Sequence, residues 1–285
     1  MKILISDYSS NFTTEPLYLN TVFNNIGCVS TIWPKGVSTY DVFDIAKPEL
    51  HITHHSYLTR DLVAYLKENP KIDLVINITG INQENLSRLD SFFKDENITP
   101  SFYYVNYYDC DLKSKHNIVS ILHGADLFLG TSEKQYDIQN GIFINSKDQI
   151  KPVGDTYHFI TSYENLTDSA DIYFPIYRLS HMYNNYQRII FRYFEKCLYQ
   201  IFFDAAIYNG NVFFDLNDRT VLNENLNKIL KQENMCLLDN EDSGKIRELI
   251  IKKHTCLHRA KSLLSQLSCK EYVDNLQNLI ESSIK

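Results

Sequence analysis

Lys71-Ile72-Asp73-Leu74-Val75-Ile76-Asn77-Ile78-Thr79 decides the fold. Its apolar positions run almost unbroken instead of alternating with polar ones, so the strand it predicts is covered on both faces. Strands of that kind belong to parallel sheets with helices above and below. The flanks agree. Before it, Thr59 is placed to cap a helix through 68, with Leu62, Val63, Tyr65 and Leu66 turned inward. After it, 81–94 reads as a helix carrying Leu86, Leu89, Phe92 and Phe93.

Working outward, 2–6, 28–33, 49–53 and 101–107 read as further strands, and 15–26 as a helix with Leu17, Leu19, Val22, Phe23 and Ile26 near one face. Strands alternating with helices predict an α/β fold with a parallel sheet. Such a sheet binds ligands beyond the carboxyl ends of its strands. The loops after Ser6, Thr53, Thr79 and Tyr107 are therefore the candidate functional loops of this half.

The pattern then restarts. Strands are expected at 126–129, 141–144, 157–160 and 171–174, a long and mostly helical stretch at 181–207, and a short strand at 212–214. Helices follow at 221–232, from a Ser243 cap to about 267, and at 271–284. The expected organisation is two Rossmann-like domains facing a cleft, 1–118 and 119–267, with 268–285 as a helix packing back across them.

Composition narrows the function classes. A formal net charge of −7 argues against a strongly basic nucleic-acid binder overall, though a local basic groove could still form. Six cysteines stand at 28, 110, 197, 236, 256 and 269 with no CxxC pair or metal-ligand spacing, which fits reduced cytosolic thiols. The first residues turn polar too early for a signal peptide, and no apolar run approaches the roughly 20 residues of a membrane helix. A cytoplasmic protein is expected. Abundant Asn and Ile with scarce Gly suggest an AT-rich genome.

Two stretches point to chemistry. In Gln200-Ile201-Phe202-Phe203-Asp204-Ala205-Ala206-Ile207-Tyr208-Asn209-Gly210-Asn211-Val212-Phe213-Phe214-Asp215, a helix end bears a carboxylate, followed by small residues, a Gly turn and a short strand. That order suits a carboxylate offered to a ribose, with Gly210 letting the backbone turn beside it. The second is Lys253-His254-Thr255-Cys256-Leu257-His258-Arg259-Ala260-Lys261-Ser262-Leu263-Leu264. Together they resemble GT-B glycosyltransferases. The latter looks like the C-terminal helix of CgeB-like spore-coat members, with their His-Thr-x-x-x-Arg-Ala pattern. The likeness covers mainly 195–267. It departs in detail: Asp204 stands for the usual Glu, and Asn211 where Pro is common. The compact size is also similar to bacteriophage DNA glycosyltransferases, which act on hydroxymethylcytosine.

The resemblance implies transfer of a sugar from a nucleotide sugar, with a UDP-sugar as donor, to an acceptor hydroxyl. Hydroxymethylcytosine in phage DNA is the leading acceptor, in host cytoplasm; a cell-surface or spore polysaccharide is the alternative. A non-catalytic nucleotide-binding module is a third reading. On the donor side, Arg178 would neutralise the leaving diphosphate, Tyr177 (or Tyr183) would stack on the base, and Asp204, Ala205 and Gly210 would hold the ribose. Arg188 and Lys196 are competing cations on an expected helix face. Asp7, His54 or Asp109 is expected to serve as catalytic base, and Ser9, Ser10, Asn11 and His55 to hold the acceptor. No metal or other cofactor is expected. Asp109-Cys110-Asp111 is the exception, because two carboxylates so spaced suit Mg or Mn. Lys113, Lys115, Lys134 and Lys151 could contact DNA phosphates.

Overall fold

The structure is a computed structural model and describes residues 1–8, 15–33, 36–106, 111–121, 124, 125, 127, 138–144, 158–160, 186–191, 203, 207, 212–214 and 243–283. Six strands form the first sheet: β1 (Lys2–Ser6), β2 (Val29–Trp33), β3 (Leu50–His54), β4 (Asp73–Asn77), β5 (Phe102–Val105) and β6 (Ile118–Ser120). Their order is β2-β1-β3-β4-β5-β6, and every pairing is parallel. The crossovers carry helices α1 (Glu15–Asn25), α2 (Thr39–Ala46), α3 (Arg60–Glu68) and α4 (Gln83–Asp95).

Alternation along the strands divides the core in two. Ile3, Ile5, Ile52, Val75, Phe102 and Tyr104 face one layer, built on Tyr18, Leu19, Val22 and Phe23 of α1. Leu4, Leu74, Ile76, Tyr103 and Val105 face the other, built on Phe43 of α2, Leu62, Tyr65 and Leu66 of α3, and Leu86 and Phe93 of α4. Thr59 caps α3 by accepting a hydrogen bond from the Leu62 N–H (3.2 Å). Asn82 caps α4 in the same way through Asn85 (2.8 Å).

A second parallel sheet contains β7 (Ile138–Ile144), β8 (His158–Ile160), β9 (Tyr186–Phe191) and β10 (Val212–Phe214), in the order β10-β9-β7-β8. The α/β class, the parallel sheets and the C-terminal helices agree with the sequence expectation. Three elements do not. The stretch 181–207 holds strand β9, because Ile189, Ile190 and Phe191 pair with β7 on one side and β10 on the other, and sheet pairing overrides a helix-compatible local pattern. Of the strand expected at 126–129, Leu127 lies in a turn and the rest falls outside the described residues.

The expected unbroken helix from 243 to 267 is two: α5 (Ser243–Lys253) and α6 (Cys256–Gln266), followed by α7 (Lys270–Ser283). The break has a clear cause. Ala125 donates its N–H to His254 O (2.8 Å), and its carbonyl accepts from Cys256 N (2.8 Å), a parallel bridge inserted between the helices. Gly124 makes room for it: a Cβ there would lie 2.4 Å from the Thr255 carbonyl carbon and oxygen. Thr255 then starts α6, with His258 Nδ1 accepting from its backbone N–H (3.3 Å) and lying 2.8 Å from its hydroxyl. Although the sequence reading groups 256–266 with the second half, Cys256, Leu257, Ala260, Leu263 and Leu264 bury in the same core as Ile3 and Ile5, joined by Leu276 and Ile280 of α7. Among the described residues, no helix is long and apolar enough to cross a membrane.

Candidate functional site

In this strand order the chain leaves β1 to form β2 on one side and returns to form β3 on the other. The β1/β3 gap at the carboxyl edge is thus a topological switch point, where open parallel sheets leave a crevice. A cavity of about 450 Å³ opens beside it. Ser6 and Trp33, at the ends of β1 and β2, form its floor, with Ser38 and Thr39 at the start of α2, and Tyr57, Thr59 and Asp61 around the start of α3.

Asp7 stands just past β1 and is half-buried; its N–H continues the ladder to Trp33 O (3.1 Å), which fixes it beside the cavity floor. His54 ends β3. Its Nε2 lies 3.2 Å from the Thr79 carbonyl and must donate, so Nδ1 accepts, from Ser56 N (3.3 Å) and from Ser56 Oγ (2.7 Å). Burial holds the His54 pKa below its usual value, partly offset by the Thr79 bond. The His55 ring lies 4.2 Å from it, and burial, with His54 as neighbour, brings His55 down to about 4. Two neutral imidazoles therefore sit at the end of β3 at neutral pH. Both nitrogens of His54 are occupied by hydrogen bonds.

Behind this edge lies a charged centre without contact to solvent. Glu15 opens α1 and Arg259 lies in α6, and both side chains are wholly buried. Arg259 Nε (2.8 Å) and Nη2 (2.5 Å) donate to Glu15 Oε1, while Nη1 donates to Ile121 O (2.5 Å) and Nη2 to Asn106 Oδ1. The guanidinium also lies 5.3 Å from the centre of the Tyr104 ring. Glu15 accepts further bonds from Tyr104 Oη (3.0 Å) and Asn77 Nδ2 (3.1 Å). Because Tyr104 donates to the carboxylate, its oxygen is left to accept from Tyr8 Oη, 3.0 Å away. Asn77 Oδ1 accepts from Thr79 N (2.9 Å), and Thr79 Oγ1 accepts from Asn106 N (3.1 Å). Burial alone would lower the Arg259 pKa; the Glu15 carboxylate, with Tyr18 and Tyr104, more than reverses this and holds it above its ordinary value. Burial raises the Tyr8 and Tyr104 pKa values well above the usual phenol range. The network locks the ends of β4 and β5 to α1 and α6. It touches the candidate site through Tyr8, whose ring lies 5.7 Å from His54 and 6.4 Å from Tyr57.

The sequence-predicted residues divide accordingly. Asp7, His54 and His55 come together at the carboxyl edge. Ser9, Ser10, Asn11, Asp109, Tyr177, Arg178, Tyr183, Lys196, Asp204, Ala205 and Gly210 lie outside the described residues, as do Lys134 and Lys151. Asp111, Lys113 and Lys115 are exposed between β5 and β6. Arg188 belongs to strand β9, not to a helix face. Phe203 and Ile207, which flank Asp204, Ala205 and Ala206, are helical and buried. Phe203 stacks on His254 at 5.5 Å, and Arg247 Nε donates to Ile207 O (3.0 Å). His254 of the C-terminal pattern is therefore a packing partner of Phe203. Trp33, Tyr57 and Asp61 were not predicted; β2 and α3 drew notice only as core elements. The Glu15–Arg259 pair has no local signal, since its members are 244 positions apart.

No family model matches this chain, and no curated protein matches it. Among solved structures it is similar to the crystal structure of CalG4, the calicheamicin glycosyltransferase, with 99% of this chain and 94% of that chain covered, at 9% identity and a TM-score of 0.34.

Proposed function

We propose that the protein is a GT-B glycosyltransferase that moves a sugar from a nucleotide sugar, with a UDP-sugar as donor, to an acceptor hydroxyl. The observation that carries this reading is the placing of Asp7, His54 and His55 at the carboxyl edge of the first sheet, where a cavity of about 450 Å³ lined by Ser6, Trp33 and Tyr57 opens at the same edge, in a chain that also builds a second parallel sheet. In the reaction, the acceptor oxygen attacks the anomeric carbon of the donor and forms the new C–O bond. The bond from that carbon to the diphosphate oxygen breaks, and the nucleoside diphosphate leaves with the electron pair. Asp7 takes the acceptor proton. Both nitrogens of His54 are engaged, Nε2 with the Thr79 carbonyl and Nδ1 with Ser56. Arg178 offsets the charge on the leaving diphosphate, Asp204 accepts from the ribose hydroxyls, and Tyr177, Ala205 and Gly210 complete the donor pocket.

The test is diphosphate release from a set of UDP-sugars, with and without EDTA, in the presence of hydroxymethylcytosine DNA or of a polysaccharide acceptor. Metal-independent release that falls by about 10²-fold or more in Asp7→Asn supports the reading. Strict metal dependence would move the chemistry to Asp109 and Asp111. No release from any donor would leave a nucleotide-binding module.

A further inference from the structure

We propose that the cavity at the ends of β1 and β2 is a subsite for a neutral sugar ring, so that the acceptor is a carbohydrate and not a nucleic acid. This rests on the glycosyl-transfer reading above and names its substrate class. The volume lies within the ~300–1,000 Å³ of small-molecule sites, which combine aromatic walls with a few placed polar groups. Trp33 and Tyr57 supply the aromatic walls. The Trp33 indole N–H is already spent on Val37 O (3.0 Å), and its ring is held against Phe43 at 5.7 Å, so it offers a fixed apolar surface to the C–H face of a ring.

The polar groups are those a polyol needs. Ser38 precedes α2, and its hydroxyl makes no capping bond. The first N–H of α2 to bond back is that of Val42, to Ser38 O (3.1 Å), so the N–H groups of the first turn point out of the helix beside Thr39. Thr59 Oγ1 accepts from Leu62 N and keeps its own proton to donate. Asp61 brings an acceptor-only carboxylate to the rim. Sugar hydroxyls both donate and accept, and this set answers both needs.

A polyanion fits poorly. The two helix ends that meet here would attract phosphate, but each carries its own acid in the first turn, Asp41 in α2 and Asp61 in α3. Those carboxylates neutralise the positive ends and would repel a phosphate backbone.

Trp33 is the single tryptophan of the chain, so fluorescence excited at the red edge, beyond the absorption of the 20 tyrosines, comes from a residue that lines this cavity. The full-length protein is titrated with methyl glucoside, methyl galactoside, methyl N-acetylglucosaminide and their disaccharides, and separately with a hydroxymethylcytosine DNA duplex. The expected result is a saturable change with a neutral sugar, at a Kd on the order of 1 mM, insensitive to salt between about 50 and 200 mM. Asp61→Asn, at an exposed position that folding tolerates, should weaken it by at least about 10-fold. No saturable response to any neutral sugar, or a response to duplex alone that collapses with salt, overturns the proposal. A sugar response without diphosphate release from any donor keeps the subsite and removes the transferase reading. Transfer to duplex that Asp61→Asn leaves untouched keeps the transferase reading and removes the subsite.

Discussion

Replacing Arg259 with methionine should destabilise the first sheet and its C-terminal cover by about 3–5 kcal/mol, because it leaves the Glu15 carboxylate buried without its counter-ion. The loss has identifiable parts. Glu15 Oε1 loses its bonds to Nε and Nη2, Ile121 O and Asn106 Oδ1 lose their donors, and Tyr104 loses the cation over its ring. Asn77 and Tyr104 still donate to the carboxylate, but neither carries a compensating charge. At about 2.1 cal/mol/K per residue, 285 residues unfolding as one unit carry about 0.6 kcal/mol/K, so Tm should fall by about 5–8 °C. Glu15→Gln should cost a similar amount by taking the carboxylate charge away from the buried guanidinium. The double variant should recover much of the sum, with a coupling of about 2–3 kcal/mol in urea denaturation followed by circular dichroism. Single-variant losses below about 1 kcal/mol, the worth of an exposed pair, would refute the buried-centre reasoning, as would strict additivity.

Acid should destabilise the protein through His51, which donates from Nδ1 to Leu4 O (3.1 Å) and which burial pushes down to about 4. The unfolded chain binds this proton below about 6.5 and the folded chain only near 4, so stability is complete above the first value and falls by about 3 kcal/mol on the way to the second. Urea unfolding at several pH values should show this slope, and His51→Gln should remove its share of it, leaving that of His55 and His258; an unchanged slope in the variant would assign the effect elsewhere. Gly124→Ala should cost about 1–3 kcal/mol or more, since the new methyl meets Thr255 backbone atoms at 2.4 Å and not a side chain that can swing away. A variant of unchanged stability, measured the same way, would mean that the Ala125–Thr255 bridge does not constrain the chain there.

The sheet's central strands were legible because their apolar runs are long and sit between capped helices, as with β4 between the Thr59 and Asn82 caps. Two short elements of the first sheet's half were not. Helix α2 begins after Gly36 and Ser38 and spans only two turns, too few to establish a period. Strand β6 has three residues and depends on pairing with β5, so nothing within 118–120 announces it. The His254–Thr255 break is imposed by Ala125, some 130 positions earlier. The site shows the same division. Asp7, His54 and His55 follow directly from strand ends, whereas Trp33, Tyr57 and Asp61 converge only because β2, the turn after β3 and the start of α3 share one edge. The C-terminal pattern includes Arg259 but points to no role for it, and its partner Glu15 could be found only in three dimensions.

The burial of α6 and α7 beneath β1, β3, β4 and β5 has a consequence for biosynthesis. Residues 1–106 leave the ribosome with one side of their sheet covered by α2, α3 and α4 and the other only half covered by α1. Ile3, Ile5, Ile52, Val75 and Phe102 must then wait, greasy side partly open, while the remaining chain is translated and 256–280 arrive to close them. Until that moment Glu15 has no guanidinium beside it and is better hydrated than enclosed, so the nascent segment has a built-in reason to stay loose. Folding of the front of this polypeptide is thereby timed by the emergence of its back.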